Sequence, residues 1–149
     1  YWQQPELTAR CLRPHPFLPA ELAETERVCY SGDLVKMDED GFLYFVARRD
    51  TMIKSSGYRV SPTEVEDILM KSELLIQAAV VGVLDQSLGE AVKAYVVAKD
   101  GVTADTETLI KLCGESLPRY MIPKYIEILD TLPKTSSGKV DYANLRSRK

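Results

Sequence analysis

The sequence predicts an α+β fold: a small sheet of about three strands packed with two to three helices, preceded by a two-stranded hairpin. Three observations carry this. From Gly57 onward, short β-branched runs and capped amphipathic stretches alternate in the order strand, helix, strand, strand, helix, strand. Before that, two apolar runs flank the turn-forming Asp38-Glu-Asp-Gly41. The chain of 149 residues, 45% apolar and 28% charged, is long enough to bury a core of its own.

Residues 1–29 hold Pro5, Pro14, Pro16 and Pro19, which break any long helix, with room for a helical turn or two at Glu21–Arg27. Little of this segment is apolar enough to bury, so partial disorder is expected. Val28–Met37 and Phe42–Ala47 read as the two strands of the hairpin, with Gly41 free to take positive φ. Such a hairpin is only marginally stable alone and needs a surface to lean on. The apolar run ends at Arg48-Arg49-Asp50, and a loop follows around Ser55-Ser56-Gly57.

Ser61, Pro62 and Glu64 have the spacing of a helix start with a capping box, opening a helix over Pro62–Lys71. Val65, Ile68 and Leu69 fall on its inner face, and Glu64, Glu66, Asp67 and Lys71 are expected to face water. Ile76–Leu84 and Val92–Ala98 are β-branched strands around a polar turn at Asp85–Glu90. Asp105–Leu117 is a second helix with Leu109, Leu112, Cys113 and Ser116 inward, stopped by Pro118. Tyr125–Leu129 is the third strand, and Asp141 caps a short helix through Arg146.

Composition excludes several function classes. The net charge of −3 gives no sign of nucleic-acid binding. No apolar run approaches the ~20 residues of a membrane span. Cys11, Cys29 and Cys113 are odd in number and widely spaced, which fits neither a disulfide framework nor a zinc site, and the lone His15 supports no metal cluster. Free thiols of this kind suit a reducing, cytoplasmic compartment. The chain starts at Tyr1 without methionine, as expected of a piece of something longer.

Three motifs in order point to chemistry. Arg48-x-Asp50-x-x-Ile53-Lys54-x-x-Gly57-x-Arg59 resembles the hinge motif of the adenylate-forming enzymes, which include AMP-forming acyl-CoA synthetases, luciferases and peptide-synthetase adenylation domains. Tyr30-Ser-Gly-Asp33 resembles their ribose-binding element. Pro133-Lys-Thr-Ser-Ser-Gly-Lys139 resembles their C-terminal lysine loop. Each motif alone is weak, and their order and separation make the signal. One departure is Ala47, where the family usually has glycine. The stretch Tyr58–Glu66 is also similar to a bacterial acyl-CoA ligase group associated with exosortase systems.

The resemblance implies a division into residues 1–49, the tail of a large N-terminal domain with the hinge-proximal hairpin, and residues 50–149, a mobile C-terminal domain. It implies Lys139 as the catalytic lysine of adenylate formation and Lys54 as the one facing the active site after domain rotation. Asp33 would accept hydrogen bonds from the ribose hydroxyls, and Arg48 would contact the nucleotide. Asp50 would be the hinge. Gly57 would lie beside the pantetheine arm, with Arg59 a weaker binding residue in the same element.

ATP with magnesium, a carboxylic acid and coenzyme A are the implied reactants, and the protein's own N-terminal domain the implied partner. The phosphopantetheine of a carrier protein is the alternative acceptor, and a non-catalytic interaction module is the reading from another class. Taken alone, a lysine in a Ser/Gly loop is ordinarily solvated. A nucleotide-binding P-loop fails here, because Pro133 stands at its first glycine and Val140 at its Ser/Thr.

Overall fold

The computed structural model describes residues 1–23 and 25–148. It divides into two compact units, Tyr1–Asp50 and Thr51–Lys149.

The first unit has a small helix α1 (Pro5–Cys11), strand β1 (Leu12–Pro14), a helical turn α2 (Ala20–Ala23), and strands β2 (Arg27–Cys29), β3 (Asp33–Met37) and β4 (Leu43–Arg48). Strands β1 and β2 form one antiparallel ladder, and β3 and β4 another. The run expected as one strand over 28–37 is therefore two. Gly32, at φ +83°, leaves the extended region and turns the chain from one ladder into the next. Asp38 closes the β3–β4 turn, its Oδ1 accepting the Phe42 N–H at 2.9 Å and its Oδ2 the Tyr44 hydroxyl at 2.8 Å. Val35, Met37, Phe42, Leu43, Tyr44 and Phe45 are all more than half exposed. Ala47, the departure from the family pattern, is buried in β4 opposite Leu34.

The second unit is built on one sheet. Strands β7 (Leu75–Asp85) and β8 (Gly89–Ala98) form a long antiparallel hairpin. Its turn is fixed by Asp85, whose Oδ1 accepts from the N–H groups of Ser87 and Leu88 and whose Oδ2 holds the Lys124 ammonium. The second edge of β8 is shared. Strand β9 (Tyr125–Ile128) runs parallel to it, and strand β5 (Ile53–Ser55), hairpinned to β6 (Tyr58–Val60), meets it at Ser55–Gly89. The expected strands β7, β8 and β9 thus belong to a five-stranded sheet; β6 is the strand expected from Gly57 onward, and its partner β5 lies where the sequence showed no strand.

Both faces of the sheet are covered, and the period of two decides which residues go where. Val80, Val92, Ala94 and Val96 face helices α3 (Pro62–Met70) and α4 (Thr106–Ser116), packing with Val65, Leu69, Leu109 and Cys113. Ala79, Val81, Tyr95 and Val97 face the other way, against Leu132 and Leu145, the latter on helix α5 (Tyr142–Ser147). The Tyr95 hydroxyl donates to the Leu145 carbonyl at 3.0 Å, satisfying both polar groups inside that layer.

Asp141 caps α5 as expected, accepting from the Asn144 N–H, and Asp105 is also an N-cap, accepting from the Thr108 N–H of α4. At α3, Ser61 takes the N-cap position without a side-chain capping bond, so the expected capping box does not form. Ser116 is exposed and does not belong to the inner stripe. Glu66 does not face water: it reaches past α3 to accept the Val80 N–H of β7 at 2.8 Å and the Tyr142 hydroxyl of α5 at 3.1 Å.

Candidate functional site

The residues singled out by motif fall into three clusters. In the first unit, Asp33 and Arg48 are direct partners across the β3–β4 ladder. The Arg48 Nε lies 3.8 Å from Asp33 Oδ1 and 3.4 Å from Asp50 Oδ1, and its Nη2 donates to the Ser31 carbonyl at 3.2 Å. The Arg49 N–H closes the arrangement on the Gly32 carbonyl at 2.8 Å. One guanidinium thus ties the Tyr30–Asp33 element to the start of the hinge motif. All three side chains are at least a third exposed, so these ion pairs contribute little stability. They leave two carboxylates and a forked cation on one accessible surface, the donors and acceptors that ribose hydroxyls and a phosphate need.

In the second unit, Lys54, Gly57 and Arg59 share the β5–β6 hairpin. Ser55 pairs with Tyr58, leaving Ser56 and Gly57 as a two-residue turn. Their φ values, +52° and +82°, are those of a type I′ turn. Lys54 and Arg59 are direct cross-strand neighbours, both exposed. Two like charges placed opposite each other weaken a ladder. The hairpin is held by other contacts. Lys54 donates its backbone N–H to Glu90 Oε2 at 2.6 Å, the Ser56 N–H bonds the Leu88 carbonyl at 2.9 Å, and the Tyr58 ring stacks on Tyr120 at 4.1 Å.

Lys139 stands on a turn between β9 and α5. Lys134 bridges to Val140, the Thr135 N–H bonds the Lys139 carbonyl at 2.7 Å, and the Gly138 N–H bonds the Thr135 carbonyl at 2.9 Å. Thr135 adds its hydroxyl to the same Lys139 carbonyl at 3.2 Å. The Ser/Gly-rich segment is therefore a hydrogen-bonded turn in which the Thr135 hydroxyl is used on the turn's own backbone and on the Ser137 hydroxyl. Its base is tied by the Asp141 N–H to the Pro133 carbonyl at 2.8 Å. Among the described residues, neither Lys139 nor Lys54 has a carboxylate within ion-pair distance.

Glu66 and Tyr142 were not singled out for function, yet they are the polar pair that joins α3 to α5. Burial pushes the Glu66 carboxyl up, against the downward pull of its two hydrogen bonds. Burial beside Glu66 pushes the Tyr142 phenol up to about 12.

The second unit is a small α+β domain with Lys54 and Lys139 exposed on a hairpin and a turn. The chain belongs to the AMP-binding enzyme C-terminal domain family, whose model matches residues 64–139. It is 35% identical over 146 residues to a crotonobetaine/carnitine–CoA ligase of Salmonella arizonae, covering 98% of this chain and 26% of that protein. It is 39% identical over 140 residues to a long-chain-fatty-acid–CoA ligase of Bacillus subtilis, covering 94% of this chain and 23% of that protein. Its structure is similar to ATP-bound MatB from Rhodopseudomonas palustris, with a TM-score of 0.81 and 29% identity, covering 98% of this chain and 27% of the other. The chain thus spans about a quarter of the length of the curated relatives it matches.

Proposed function

We propose that this chain is the mobile C-terminal part of an AMP-forming acid–thiol ligase. In the first step a carboxylate oxygen attacks the α-phosphorus of ATP, forming acyl-AMP and releasing pyrophosphate. In the second, a thiol takes the acyl group and AMP leaves. Two anions meet in the first step and further negative charge develops, so a cation held at the reacting oxygens lowers the barrier. Lysine suits this as a compact charge on a long stem.

The observation that carries the reading is the placement of Lys139. Its backbone is fixed by three hydrogen bonds within the Pro133–Val140 turn, and its side chain is exposed with no acid partner among the described residues. Lys54, on the separate β5–β6 hairpin beside Arg59, serves the second step, with Gly57 lying along the thiol arm. Asp33 and Arg48 hold the ribose and phosphate. The division of the chain after Asp50 supports that residue as the hinge about which the two steps exchange.

The exposed apolar face of β3 and β4 fits contact with the enzyme's own N-terminal domain, which would also hold the acid and most of the nucleotide. Coenzyme A is the proposed acceptor, and a carrier protein presents the same thiol arm. Three free cysteines favour a cytoplasmic setting. Magnesium would enter with ATP, on its phosphates; among the described residues no group of three or more His, Cys, Asp or Glu could hold a metal ion.

The test is Lys139→Ala in the full-length parent. Carboxylate-dependent ATP–pyrophosphate exchange should fall by at least a hundredfold, while thioester formation from a pre-made acyl adenylate and CoA survives. Persistence of exchange would make Lys139 a solvated surface lysine and end this reading.

A further inference from the structure

Glu66 occupies an unusual place. It belongs to α3 on one face of the sheet and hydrogen-bonds α5 on the other. The route runs past β7, which pairs with β8 alone. A strand with one unpaired edge exposes N–H groups that need acceptors. Glu66 Oε1 takes one of them, Val80 N–H at 2.8 Å, and the same oxygen takes the Tyr142 hydroxyl at 3.1 Å. A single carboxylate oxygen therefore fixes three elements: α3, the edge of β7 and the first residue of α5.

Tyr142 is three residues after Lys139. Between them Val140 closes the lysine turn on Lys134, and the Asp141 N–H bonds the Pro133 carbonyl at 2.8 Å. The turn is thus continuous with α5, and α5 carries the Glu66 contact at its first residue. Among the described residues no hydrogen bond of Glu66 or Tyr142 reaches the Lys54 hairpin: its polar and ring contacts go to Glu90, Leu88, Gly89 and Tyr120, and it meets α3 only through the apolar packing of Ile53 and Val60 in the shared core.

We infer that Glu66 and Tyr142 are positioning residues for the adenylation step, acting through the base of the Lys139 turn and not through the Lys54 hairpin; this rests on the role proposed above for Lys139. The hydroxyl of Tyr142 sets where the turn stands relative to the sheet. A catalytic cation displaced by a fraction of an ångström loses much of its effect on the reacting oxygens. The role requires an acceptor at position 66, not a charge, because both partners are donors. Glutamine keeps a carbonyl oxygen that accepts both bonds, whereas alanine leaves the Val80 N–H and the tyrosine hydroxyl without it.

The experiment uses the full-length parent with four variants: Tyr142→Phe, Glu66→Gln, Glu66→Ala and Lys139→Ala. ATP–pyrophosphate exchange and thioester formation from pre-made acyl adenylate are measured separately. Tyr142→Phe keeps the ring and removes only the hydroxyl. It should lower exchange about tenfold and leave thioester formation within about twofold, and Glu66→Ala should show the same split more strongly. Glu66→Gln should stay within about twofold of wild type in both steps.

Equal losses in both steps, for Tyr142→Phe or Glu66→Ala, would make the contact a general stability element and overturn the inference. A selective loss in Glu66→Gln would overturn it too, since charge would then be what matters. If Lys139→Ala abolishes exchange and Tyr142→Phe leaves it untouched, only the positioning role fails. If Lys139→Ala leaves exchange intact, the role of Lys139 fails and takes this inference with it.

Discussion

Gly57 offers the sharpest separation between a structural and a functional role, because the structure predicts the two effects independently. Its φ of +82° places it in the left-handed region, and a Cβ built there meets nothing within 4 Å. Gly57→Ala therefore carries no steric penalty inside this chain, only the backbone cost of about 1–2 kcal/mol. Part of that is offset by ~0.4–1 kcal/mol from the restricted unfolded chain. At the middle of both ranges the net loss is about 0.8 kcal/mol, and at ~4–8 °C per kcal/mol for a domain of this size the melting temperature should drop by roughly 3–6 °C. Gly57→Asn should lose less, since asparagine visits the left-handed region readily, as Ser56 already does at +52°.

The functional effect should order the variants differently. If a thiol arm passes the open side of Gly57, the larger asparagine obstructs it more than alanine does. Gly57→Asn should therefore be the more stable variant and the worse thioester former, at least about tenfold down, with pyrophosphate exchange preserved. Thermal unfolding of residues 51–149 and single-turnover thioester assays of the full-length parent give the two readouts. A Gly57→Asn enzyme with an intact thioester step would show Gly57 to be a turn glycine and nothing more.

Two further outcomes follow from buried groups. Burial raises the folded-state pKa of Glu66 above its ordinary value, so the folded state holds that proton more tightly than the unfolded one. Stability from this group is then lowest above the folded pKa and rises as pH falls through it toward the unfolded value near 4.5. Glu66→Gln removes the ionisation and should unfold in urea at a higher midpoint than wild type at pH 8, with the gap closing by pH 4.5; a gap unchanged between the two pH values would refute the burial argument. Cys113 is fully buried and its thiol is pushed up to about 11, leaving only about one thiolate in a thousand at pH 8. Alkylation followed by mass spectrometry should mark exposed Cys29 while Cys113 reacts only in denaturant.

What was legible in the sequence was what short-range physics decides. β-Branched apolar runs on either side of a polar turn placed the hairpin of β7 and β8, and both faces of it are buried, so the runs are continuous rather than alternating. Asp141 marked a helix start because a cap needs only neighbours within three residues. Glu66 was misplaced because charge was allowed to outvote the helical wheel. It stands four residues after buried Pro62 and three before buried Leu69, so it lies beside the inner stripe. Its partners, Val80 and Tyr142, are 14 and 76 residues away, and no local signal announces them. Strand β5 has no sequence signal, because a three-residue strand has no period to detect. The resemblance located the candidate site residues, and the residues themselves gave the chemistry. Neither could show that Lys54 would face Arg59 across a hairpin, since register is set by the turn at Ser56 and Gly57.

The absence of an acid partner does not by itself distinguish Lys54 and Lys139. Among the described residues Lys36, Lys71, Lys99, Lys111 and Lys134 also lack an ion pair. Both stand on a main chain held by hydrogen bonds. Lys139 hangs from a turn closed by its own hydroxyl and amide bonds, and Lys54 from a hairpin fastened through its own N–H to Glu90. A cation whose main chain is already fixed has only its side chain left to order on meeting a phosphate. It also has no carboxylate to give up first. In a chain of net charge −3 with 22 acids, keeping two exposed lysines clear of every described carboxylate while fixing their main chains suits a domain that presents charge to a site completed elsewhere. The half-reaction split of Lys139→Ala and the positioning test of Tyr142→Phe examine that idea from its two ends, the charge and the frame that holds it.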